Sequence, residues 1–141
     1  MNKKDVRPGD IALVPSGAGK FAVGKVLYLS QCYKNVMLFG IYSKAVTERT
    51  MPPKLGDAIG LLVYTSQTAI RQHRWIPVGH EPLRENQQGL AKRIVGGEVW
   101  DEDKELRPAT REDMQTLPRM QVLGAGLVEK KAQQLIAKEG S

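Results

Sequence analysis

The sequence predicts an α+β domain, a mostly antiparallel β-sheet or small barrel with a short helix near residues 110–117 and a C-terminal helix. Three observations carry this. The apolar residues fall in short runs bounded by glycine and proline, of which the 141 residues hold 14 and 8, so the chain turns often. The runs are rich in β-branched and aromatic side chains, which suit a pleated surface. Only the last segment shows a sustained helical period.

The elements follow in order. Gly9 to Pro15 reads as a buried strand opened by the Pro8-Gly9 turn. Ser16-Gly17-Ala18-Gly19 supplies the freedom for a tight reversal, and Phe21, Val23 and Val26 continue apolar character to Leu29, making residues 10–30 a hairpin. Val36 to Tyr42 is a third strand. Thr47 to Asp57, with Pro52-Pro53 and Gly56, is a loop. Ala58 to Thr65 is a fourth strand whose unbroken apolar run predicts burial on both faces. Ser66 caps a short helical turn through Arg71, or the segment is a bulged connection. Arg74 to Gly79 is a fifth strand, placed at an edge because Pro77 cannot donate to a ladder.

Residues 84–89 form a polar loop, and Ala91 to Val95 with Glu98 to Trp100 form a hairpin around Gly96-Gly97. Asp101-Glu102-Asp103 with Glu105 reads as a solvated turn, lacking the ligand spacing of a calcium loop. Thr110-Arg111-Glu112-Asp113 has the form of a capping box and opens a helix that Pro118 ends. From Leu127, Val128, Ala132, Leu135 and Ile136 share one helical face, while Glu129, Lys130, Gln133 and Lys138 lie away from it. That helix should dock on the sheet.

A 41% hydrophobic, 26% charged chain of this length is one globular domain, residues 1–141, able to bury its own core. No apolar stretch approaches the roughly 18 residues of a membrane span, and the N-terminus carries no signal-like apolar region. A single cysteine, Cys32, fits a reducing compartment, so a cytoplasmic protein is expected. The net charge of +6 is uneven: residues 1–70 hold nine Lys/Arg against four Asp/Glu. Such a face attracts phosphate backbones or an acidic protein partner.

Few motifs carry chemistry. Ser16-Gly17-Ala18-Gly19-Lys20 lacks the earlier glycine, the magnesium-holding hydroxyl and the following helix of a phosphate loop. Gly124-Ala125-Gly126 lacks the third glycine of a dinucleotide fingerprint and reads as a close-packed helix entry. Nothing brings His73 or His80 to Cys32, which reads as a buried structural thiol. One cysteine and two histidines match no metal spacing. No catalytic residue, cofactor or metal is expected. Lys25-Val26-Leu27-Tyr28 and His73-Arg74-Trp75 set rings beside cations; core or edge packing is the first reading, a protein interface the second and single-stranded nucleic acid the third.

The order of pieces resembles the immunity protein 26 family of bacterial polymorphic-toxin systems. The resemblance lies in Arg7 to Pro15, Gly19 to Leu27, Arg74 to Leu83, Arg107 to Asp113 and Gly126 to Lys131, nearly end to end. It implies a β-rich inhibitor that binds a cognate toxin in the cell that makes it and blocks it without catalysis. On that reading exposed Tyr28, Arg74 and Trp75 are expected to anchor the interface, with Lys20 and Lys25 steering approach. A basic inhibitor further implies a partner with an acidic patch. The alternative is a small basic β-barrel module binding RNA or single-stranded DNA. A third reading is an enzyme using Cys32 with a histidine.

Overall fold

The structure, a computed structural model, describes residues 6–30, 35–55, 59–88 and 90–139. Cys32, Gly56 and Asp57 therefore lie outside the described residues. The fold is α+β, as the sequence predicts. Strands β1 (Asp10–Pro15), β2 (Phe21–Leu29), β3 (Val36–Val46), β4 (Ile59–Ser66), β5 (Ile76–His80) and β9 (Val122–Leu123) form one sheet in the order β5-β1-β2-β3-β4-β9. β5 and β9 end it, so the sheet is open and not a closed barrel. Strands β6 (Lys92–Val95), β7 (Glu98–Asp101) and β8 (Lys104–Pro108) form a second, antiparallel sheet.

Local chemistry explains the turns and caps. Gly17, Ala18 and Gly19 all take positive φ at the β1–β2 reversal. Ser66 Oγ accepts the Thr68 N–H at 3.1 Å at the entry to α1 (Thr68–Arg71). Thr110 and Asp113 satisfy each other's backbone N–H groups at the start of α2 (Arg111–Thr116), closing the capping box. α3 (Ala125–Glu139) begins two residues before Leu127.

The large sheet buries both faces. On one, Ala12, Val14, Val26, Met37, Phe39 and Val63 pack under α1, α3 and Trp75. The rings of Phe39 and Trp75 stack at 5.2 Å. Gly24 makes room for them, since a Cβ there would lie 2.1 Å from Phe39 Cζ. On the other face, Ile11, Leu13, Val23 and Tyr42 meet the 47–55 loop, and Leu27, Tyr28, Leu38 and Tyr64 meet the 83–91 segment.

Three expectations change. β4 is not buried throughout, because Leu62 is 43% exposed at the end of the sheet where β9 is only two residues long. The predicted acidic turn is present at Glu102–Asp103, with Glu102 exposed at positive φ, and it joins two strands, since Asp101 ends β7 and Glu105 lies in β8, whose residues are all exposed. Residues 84–89 include a 3-10 turn, Glu85–Gln87, with Gln87 buried. Glu129 does not face away from the fold: its carboxylate accepts from Trp75 Nε1 at 2.9 Å and from Arg74 Nε at 2.7 Å.

Candidate functional site

The five residues expected at a partner interface do not form one surface. Lys20 and Arg74 are exposed; Lys25, Tyr28 and Trp75 are buried. The physical reasons differ. Trp75 fills the core against Phe39, with its N–H held by Glu129. Arg74 forms a two-pronged pair with the same carboxylate. Tyr28 would face Trp75's layer by strict alternation, but a β-bulge after Val26 makes Leu27 the extra residue and turns Tyr28 to the opposite face, beside Leu38. In this conformation neither ring offers a stacking or docking surface.

Lys25 is the centre of a polar knot inside the second face. Its ammonium donates to Glu81 Oε1 at 2.7 Å, the Pro82 carbonyl at 3.1 Å and Gln87 Oε1 at 2.6 Å. All three ammonium hydrogens thus have an acceptor, which is what a fully buried lysine requires. Gln87 passes the connection on to the Tyr42 hydroxyl at 3.0 Å. Arg84 closes on both oxygens of Glu81. The hydrogen bond from Arg84, then that from Lys25, holds the Glu81 carboxyl below the ordinary carboxylate range despite some burial. The knot ties β2 to the chain after β5, 56 residues apart.

Arg93, from β6, is the second buried cation. Its guanidinium carbon lies 5.4 Å from the Tyr64 ring centre and 5.9 Å from that of Tyr28. Nη1 donates to the Ala91 and Glu102 carbonyls, while Nε and Nη2 have no hydrogen-bond partner among the described residues. Ser30 donates to Asp103 at 2.7 Å beside it. Burial first, and the Asp103 carboxylate second, push the Tyr28 hydroxyl far above its usual range. Between the two cations lies a cavity of about 240 Å³, lined by Leu27, Tyr28, Leu38, Leu83, Gln87 and Ala91 among others. The small sheet therefore docks on the large one through Arg93 and the tyrosine rings.

One further pair went unseen in the sequence. The β1–β5 register sets His80 opposite Asp10, and Nδ1 lies 3.0 Å from Oδ1. The Arg7 N–H caps the other Asp10 oxygen. Asp10 is the one hydrogen-bond partner of the His80 ring among the described residues. Among those residues, no three His, Cys, Asp or Glu side chains are grouped as a metal site would need. Among the described residues, no helix is long and apolar enough to cross a membrane.

Comparison of the chain with protein-family models, with curated proteins and with solved structures gives no match.

Proposed function

We propose that this chain is a toxin-neutralising immunity protein, which binds a cognate bacterial toxin in the cell that makes it and blocks it stoichiometrically. The observation that carries the reading is the state of the interior ionisable groups. Lys25 has all three hydrogens accepted and Glu81 is held by two cations. Groups tied in this way brace a surface; they are poor nucleophiles and poor proton carriers. The resemblance adds support, since its segments supply β1, β2, β5 and the starts of α2 and α3, the frame that holds the surface rigid. A binder kept rigid before the encounter loses less entropy on association.

Nucleic-acid binding has less to stand on, because Tyr28 and Trp75 are interior and cannot stack on bases. The test is to express the toxin encoded beside this gene with and without the chain. Protection and a co-eluting complex on a sizing column are expected. Equal toxicity in both cells, with no complex, removes the reading.

A further inference from the structure

The end of the large sheet at β9 differs from the rest of the surface. β4 pairs with β3 along its length, but β9 pairs with it only at Tyr64 and Thr65. The outer edge of Leu61–Val63 has no strand partner among the described residues. A groove of about 210 Å³ opens there. It touches Leu61, Leu62, Val63 and Tyr64 in succession. Successive strand side chains point to opposite faces, so a groove that meets all four runs along the strand's edge.

Of the five large exposed hydrophobic residues among those described, three lie toward this end. Leu62 lines the groove at 43% exposure, and Val122, 50% exposed, pairs with Tyr64 in β9. Leu127, 45% exposed, lies one helical turn before Lys131 on α3. Lys131 and Arg119 line the groove, and neither has an ion pair or side-chain hydrogen bond among the described residues. Among the described residues, no carboxylate lines it. Elsewhere Arg74, Arg84 and Arg107 are matched to carboxylates, while Lys20, Arg111 and Lys130 are also without an ion pair among the described residues, so what marks this groove is that its unpaired cations flank an open strand edge.

We propose that this groove receives an extended acidic segment of the protein partner. The segment lies as an added strand along Leu61–Val63, sets an apolar side chain against Leu62, and brings carboxylates to Arg119 and Lys131. An open strand edge gives backbone hydrogen bonds, the apolar floor gives burial, and the unpaired cations select the sign of the occupant. The proposal rests on the reading of the chain as a protein-binding inhibitor and names the surface it would use.

The experiment is an amide NMR titration of the full chain with a capped seven-residue peptide of alternating Glu and Val. A Lys/Val peptide is the counterpart. The acidic peptide should shift the amides of Leu61–Val63 and Val122–Leu123. The double substitution Arg119→Glu, Lys131→Glu should weaken it at least ~10-fold, as two lost charge pairs would. Leu62→Asp should do the same, with an unchanged circular dichroism spectrum. No binding, equal shifts from the lysine peptide, or shifts elsewhere would overturn the proposal. So would concentration-dependent shifts of the same amides without peptide, which would give the groove to a second copy of the chain. The toxin assay separates the two ideas. If the chain protects cells and the double variant protects and binds equally well, the groove fails alone. If the peptide docks and no toxin is neutralised, the immunity reading fails alone.

Discussion

At the scale of single residues, the fold is held by two buried cations, Lys25 with three oxygen acceptors and Arg93 with two carbonyls and two tyrosine rings. Lys25→Ala should destabilise the protein by about 2–3 kcal/mol in urea unfolding, because it takes the donor from the Pro82 carbonyl and leaves a cavity where the lysine stem packed, while Arg84 keeps Glu81 paired. Lys20→Ala, at an exposed position, should fall within about 0.5 kcal/mol of the parent. Equal effects would show that the knot contributes nothing. None of this is visible in the sequence, where Lys25 looks like any strand lysine. Its acceptors come from positions 81, 82 and 87, and only the fold brings them together. Arg93 is hidden for the same reason: its aromatic partners come from β2 and β4. Tyr28 misleads for a different one: both faces of β2 are covered, so its ring is buried whichever face the bulge gives it.

At the scale of elements, what is local was legible and what is distant was not. The β1–β2 hairpin, β5 as an edge and the capping box of α2 follow from turn residues, Pro77 and the Thr110–Asp113 spacing. Thr110→Ala should cost about 1 kcal/mol by removing the cap. β8 escaped because Lys104, Glu105 and Arg107 carry no apolar alternation, and β9 because two residues make no pattern. α3 is fastened by Glu129 as well as by its apolar face. Arg74 chiefly, with the Trp75 N–H, holds the Glu129 carboxyl below its ordinary range, and Glu81 is lowered by its own cations. A carboxyl lowered on folding contributes stability above its unfolded value, near pH 4.3, and loses it as pH falls through the lower folded value. Stability should therefore be flat from neutral pH to about pH 5 and fall below that. In Glu129→Gln the acid slope should be shallower in thermal melts; an unchanged slope would remove Glu129 from the account.

At the scale of the whole molecule, two layers of different kinds cover one open sheet. The helical side is apolar and close-packed, so Gly24→Ala, which drives a methyl into the Phe39 ring, should cost about 2–3 kcal/mol by overpacking. The other side is cross-linked by Lys25 and Arg93 around a cavity. A body clamped on both faces presents fixed surfaces, which suits recognition by shape and charge. With a net charge of +6, its association with an acidic partner should slow as salt rises.

The most direct measurement is a titration of the purified cognate toxin's activity with the purified chain, followed over time at each ratio. Inhibition should be complete at one equivalent, immediate, and undiminished when the complex is separated and assayed again. Progressive loss of toxin activity at a small fraction of an equivalent would mean that the chain turns over, and the account of a stoichiometric binder would be wrong.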